Sequence, residues 1–205
     1  TGPRRPEISL DVPDRMGVYD AAGPLAVGIR HTNISRLDLA LYSLAERDLV
    51  RMGGDDGWIA WDRYEPARDA LVRRWSVAVE AAKNAYALTD VSLRPENSAS
   101  LAAGYYFLEV TAPEVTRRER HLLVSTDVNL MLKTSGSDGL VWASALQSGE
   151  AVADVELVAW DGSGKEIDKA TTDASGLAEL DLGPRDPWGS VVVTGNYQGS
   201  PCAVM

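Results

Sequence analysis

Few residues in this 205-residue chain have the type and spacing for chemistry. The two histidines, His31 and His121, are the natural candidates for a general base near neutral pH. Both stand in strand-like runs beside apolar neighbours, and no serine sits in a GxSxG elbow. They read as structural or surface histidines. Asp55 and Asp56 are adjacent carboxylates, but GGDDG is the sequence of a solvated turn, and a glycosidase pair would have to converge from distant segments. DGSG at 161–164 and TDASG at 172–176 have a superficial likeness to calcium loops. Such a loop needs oxygen ligands at alternate positions and a bidentate Glu near its end. Asp161, Ser163 and Lys165 do not supply that set, so both stretches read as turns. Cys202 is the single cysteine, which rules out an intrachain disulfide, and GSPCAVM places no cation beside it to activate the thiol. It reads as a small buried apolar residue. No catalytic residue, no metal and no cofactor are expected, and the chain reads as a non-enzyme.

Aromatic residues offer the other kind of site. Trp58, Trp61 and Tyr64 recur at a spacing of three, which places them on one helical face, although the preceding Gly53, Gly54 and Gly57 argue against a long helix. With Trp188 they are the candidate contacts to another domain or a partner, because Trp and Tyr are enriched at interface anchors. The chain has one Phe, so Trp75, Trp142 and Trp160 are expected to help fill the core.

These residues need elements to hold them. Hydrophobic residues make up 45% of the chain and charged residues 24%, a balance that supports a buried core. The length fits one large domain or two small ones. A net charge of −10 disfavours nucleic acid and anionic membrane surfaces, which need clustered Lys and Arg. The densest basic run, RRER at 117–120, is broken by its own Glu. No apolar stretch approaches the ~20 residues of a membrane helix. The chain begins with Thr and shows no signal peptide, so it is expected to be processed or part of something larger.

Period-two alternation dominates. Leu37, Leu39 and Leu41 face one way, Asp38 and Ala40 the other, and Asn33 to Ser35 reads as the preceding turn. An edge strand is expected near 8–12. Residues 44–52 fit a helical turn or a strand equally. ALVRRWSVAVEAAKNAYAL has helical propensity, yet Trp75, Val77 and Val79 alternate, and its neighbours favour a strand over 73–80. LTDVSL at 88–93 is a short strand, and LAAGYYFLEVTA runs into another, with Tyr106 placed for a tyrosine corner. From 128 onward, VNLMLKTS, GLVWASAL, ADVELVAWD, EIDKATTD, GLAELDL and GSVVVTGN are short runs divided by Asp/Gly/Ser turns. The reading is all-β, two tandem antiparallel β-sandwiches, 1–126 and 127–205, meeting at Ser125-Thr126-Asp127.

Several stretches together resemble the macroglobulin-like domains of the bacterial α2-macroglobulin family. They are GYYFLEV, LVSTDVNLMLK and GLVWASALQSGEAVADVELVAWDGSGKEIDKATTDASGLAEL. The features that match are Thr126-Asp127-Val128-Asn129-Leu130, Val141-Trp142, Gly149 to Val152 and Thr172-Asp173-Ala174-Ser175-Gly176. Glu150-Ala151 departs from the commoner Lys-Pro at that turn, and LDLALYSLAERDLVRM is a weaker match to the domain before. The resemblance implies Ig- or fibronectin III-like sandwiches from the N-terminal half of a large protease trap. Family members enclose a protease after it cleaves a bait region, and some bind it through a Cys–Gln thioester. Bacterial members are secreted or lipid-anchored, which implies a periplasmic or cell-surface location. This stretch has no CxEQ motif, since Ala203-Val204-Met205 follow Cys202, and no long bait-like loop. The implied role is non-catalytic scaffolding, with other macroglobulin-like domains of the same parent as partners and target proteases met indirectly. The competing class is an Ig-like adhesin or a carbohydrate- or protein-binding module, which would show an open aromatic pocket. An enzyme would bring His31 or His121 within hydrogen-bond reach of carboxylates.

Overall fold

The computed structural model describes residues 2–12, 14–94, 100–186 and 189–205. The chain forms two compact units: residues 1–43, 66–101 and 106–123 make the first, and 44–65, 102–105 and 124–205 the second. The segment 44–65 is thus contributed to the second unit from between two strands of the first.

The strands of the first unit are β1 (Glu7–Asp11), β2 (Met16–Asp20), β3 (Ala26–Thr32), β4 (Arg36–Ser43), β5 (Leu71–Ala78), β6 (Ala87–Ser92), β7 (Gly104–Thr111) and β8 (Glu119–Thr126), with residues 104–105 of β7 and 124–126 of β8 counted in the second unit. They form a three-stranded sheet, β1-β3-β6, and a five-stranded one, β2-β8-β7-β4-β5. Alternation explains the layering. Val27 and Ile29 of β3 meet Leu37, Leu39 and Leu41 of β4 and Leu108 and Val110 of β7 in one core. Each fully buried Leu or Val there contributes about 1.5–3 kcal/mol. Asn33 adopts the left-handed φ of 51° that turns β3 into β4. β5 is a strand despite its helical propensity. Trp75 and Val77 pack against the core while Arg74 and Ser76 face out, so pairing with β4 outweighs intrinsic preference. Every residue of β2 is half-buried, a pattern with no period for a sequence reading to find.

The second unit holds β9 (Val128–Ser135), β10 (Asp138–Ala145), β11 (Glu156–Asp161), β12 (Glu166–Thr171), β13 (Leu177–Asp181), β14 (Val191–Tyr197) and β15 (Ser200–Val204). One sheet is ordered β13-β10-β9, the other β12-β11-β14-β15. Val128, Leu130, Val141, Ala143, Leu157, Ala159, Leu180 and Val193 fill the space between them. To this sandwich the 44–65 segment adds two short helices, α1 (Glu46–Gly53) and α2 (Gly57–Arg63). α1 buries Leu49, Val50 and Met52, which makes the helical alternative the correct one for 44–52.

The acidic turns are backbone devices. The Asp161 carboxylate accepts the Ser163 N–H at 2.9 Å, the Ser163 hydroxyl at 2.7 Å and the Lys165 N–H at 3.0 Å. These bonds, led by the Ser163 hydroxyl, hold its carboxyl below the usual carboxylate range. The Asp173 carboxylate accepts the Ser175 and Leu177 N–H groups at 2.8 and 3.0 Å. Gly176 closes that turn at φ 73°, and a Cβ there would overlap the Ala143 carbonyl oxygen. No cluster of three or more metal-ligating side chains occurs among the described residues.

Candidate docking surfaces

The candidate bases are committed to internal contacts. His31 Nε2 lies 2.9 Å from Thr89 Oγ1, and His121 Nε2 lies 2.9 Å from the Tyr19 hydroxyl, both rings being buried. Burial pushes the His121 pKa down to about 4, so the ring is neutral at pH 7. Burial also raises the Cys202 thiol to about 12, and its sulfur lies in the core of the second unit. Its carbonyl accepts the Tyr105 hydroxyl at 2.9 Å, and burial raises the Tyr105 pKa as well. Tyr106 sits in the core of the first unit. The arginines of RRER face carboxylates: Arg117 pairs with Glu119 at 3.0 Å, and Arg118 and Arg120 pair with Glu109 at 3.5 and 3.1 Å.

The predicted aromatic group belongs to the helical pair of the second unit. Trp58 is 63% exposed near the start of α2, Trp61 is half-buried on the same helix, and the half-buried Tyr64 caps its C-terminus. Trp188 lies outside the described residues. The loop Gly54–Asp56 between the helices is pinned to the sandwich. Asp55 donates its N–H to the Gly162 carbonyl at 2.9 Å, and its carboxylate accepts the Ser190 N–H at 2.8 Å. A Cβ at Gly162 would overlap the Asp55 carboxylate, and one at Gly54 would overlap the Gly162 carbonyl oxygen. The glycines of GGDDG and WDGSG are therefore where two backbones touch, a use that neither stretch reveals alone.

The open face lies elsewhere. Trp142 was expected in the core, and the structure corrects this: it is 38% exposed. Its neighbours Val141 and Ala143 are fully buried, so strand parity turns Trp142 outward. Register then builds a row. Trp142 pairs with Met131 on β9 and with Leu177 on β13, and both are exposed. Leu140, two residues along β10 and also exposed, is flanked by Lys133 and Glu179. Past Trp142 the face is closed by the chain itself, because Ser144 bridges Ala151 and is buried. The signal was present in the sequence as alternation through LVWA, but the scarcity of Phe favoured a core assignment. Trp75 and Trp160 are half-buried; the indole of Trp160 donates to Thr194 Oγ1 at 2.9 Å.

Residues 125–202 match the sequence profile of the bacterial alpha-2-macroglobulin MG3 domain. That segment is similar to a bacterial alpha-2-macroglobulin domain. The fold agrees over nearly the whole chain. Native alpha-2-macroglobulin from Escherichia coli, in a fragment spanning domains NIE-MG1, superposes with a TM-score of 0.71 at 14% identity, covering 98% of this chain and 96% of that one. A fragment spanning MG0-NIE-MG1 gives 0.74 at 14% identity and 98% coverage, of which this chain spans 64%. Salmonella alpha-2-macroglobulin, as a Y1175G mutant, gives 0.70 at 15% identity, and this chain spans 12% of it. The domain number differs between the profile and the fragments. No curated protein matches. The expectation of macroglobulin-like antiparallel β-sandwiches is met by both kinds of comparison.

Proposed function

We propose that this chain is a non-catalytic scaffold of an alpha-2-macroglobulin-like protease trap in the bacterial envelope, with macroglobulin-like domains at 1–126 and 127–205. The supporting observation is the contiguous exposed row Met131, Trp142 and Leu177 with Leu140 beside it. Single exposed apolar residues are ordinary, and an unbroken patch of this kind on a sheet supports the reading as a docking face. Covering on the order of 300 Å² at ~25 cal/mol per Å² contributes roughly 7 kcal/mol, with no catalytic group involved. The partners are other macroglobulin-like domains of the same parent. Target proteases are met only through the assembled trap, and the parent is secreted or lipid-anchored at the periplasm or cell surface. No described helix is long and apolar enough to cross a membrane. Trp58, Trp61, Tyr64 and Trp188 are secondary candidate contacts.

The test is inhibition by the complete natural protein. A trap shields a bound protease from large substrates while small peptides still reach it. The expected result is blocked digestion of a protein substrate with peptide hydrolysis retained. Equal inhibition of both substrates, or of neither, contradicts the reading.

A further inference from the structure

Resting on that docking role, we infer that the β9-β10-β13 face is covered by another domain of the same longer chain, and that the covering surface is apolar at its centre and basic along one end. The register dictates this chemistry row by row. The first open row, Met131–Trp142–Leu177, is wholly apolar. In the next, Leu140 stands between Lys133 and Glu179. In the third, Asp138 faces Asp181 on one side and Ser135 on the other. Asp168 of β12 reaches the same place, where its carboxylate accepts the Asp181 N–H at 2.8 Å. Lys133, Asp138, Leu140, Asp168, Glu179 and Asp181 line one hollow of about 880 Å³. Neither Asp138, Glu179 nor Asp181 makes an ion pair among the described residues, and Lys133 is the lone cation there.

An occupant must therefore match apolar rows that pass into four carboxylates. Opposite charges across an interface favour the right partner, and like charges facing each other penalise the wrong one. A second copy fits poorly, because a chain of net charge −10 brings no surplus of cations to Asp138, Glu179 and Asp181. An anionic lipid surface is repelled for the same reason. A sister domain remains, and its basic end lies over Asp138 and Glu179. In the Escherichia coli fragment spanning MG0-NIE-MG1, this fold occupies 64% of the chain, so a further domain accompanies it there.

The experiment places a benzophenone side chain at the exposed position 131 (Met131→p-benzoyl-Phe) in the complete natural protein and identifies the crosslinked peptide by mass spectrometry. The expected product is an intramolecular crosslink to another domain, in a segment with two or more Lys or Arg beside apolar residues. Asp138→Lys with Glu179→Lys, both exposed, is expected to cut the crosslink yield about tenfold while leaving the circular dichroism spectrum unchanged. A crosslink to a segment without cations, a crosslink to a second molecule, or a yield indifferent to the charge reversals overturns the inference. If the captured segment is another domain of the same chain, the docking role itself survives that result. A probe that stays fully solvent-exposed and uncrosslinked overturns both.

Discussion

The second unit carries two tryptophan-bearing surfaces of opposite construction. On the helical pair, the chain is fixed through polar backbone contacts: Asp55 to Gly162 and Ser190, with glycines where the loops meet. On the β9-β10-β13 face, the exposed side chains of Trp142, Met131, Leu140 and Leu177 stand open among the described residues. The first surface drew attention in the sequence because its aromatics are dense, and the second was passed over because its single Trp looked like core. The difference teaches that strand parity finds an open face better than aromatic density does.

The sharpest way to break this contrast is to crowd the pinned loop. Gly162→Val should displace the Asp55 carboxylate and cost ~3 kcal/mol, since a hydrogen bond to a charged group is lost along with close backbone packing. Chemical denaturation measures it, and a cost below ~1 kcal/mol would mean the loop is not pinned there.

Buried polar contacts elsewhere should respond to pH as exposed ones do not. The His121 pKa is lowered from 6.5 to about 4 in the folded state. The unfolded chain therefore binds more protons between those values. The stability from this group is fully present above pH ~7 and is lost as pH falls toward 4, by about 3 kcal/mol. His31, lowered by burial, acts in the same direction. Unfolding curves from pH 7 to 4 should flatten in His121→Gln, and an unchanged slope would count against the burial account.

Parity itself is tested by neighbours. Val141→Thr places a hydroxyl in the core and should cost ~2 kcal/mol, whereas Leu140→Thr on the open side should cost ~0.5 kcal/mol. Equal costs would remove the distinction between the two faces of β10. The smallest effect is expected at Trp58→Ala, within about 1 kcal/mol, because that side chain is 63% exposed. A larger loss in the isolated 205-residue chain would show that Trp58 supports the helical pair.

Much of the fold could be read from period two: β9 runs over the very residues expected, and the strand expected over 73–80 is β5, two residues earlier at Leu71–Ala78. The helical pair was half-seen. Residues 44–52 fit two periods at once, and the attachment of GGDDG to WDGSG is a contact between segments over a hundred residues apart, to which local pattern is blind. β2 escaped because uniform half-burial leaves no alternation. The acidic turns were read correctly as geometry, since Asp161 and Asp173 spend their oxygens on their own backbone. The open face was encoded in Leu140-Val141-Trp142-Ala143, but joining Met131 and Leu177 to it requires the register of three strands.

The central claim is that the β9-β10-β13 face is covered in the protein that contains it. Hydroxyl-radical footprinting of Met131 tests it directly, comparing the 205-residue chain with the complete natural protein. The account predicts ready oxidation in the former and at least about tenfold protection in the latter, as for a side chain moved from solvent into an interface. Equal oxidation in both would contradict it.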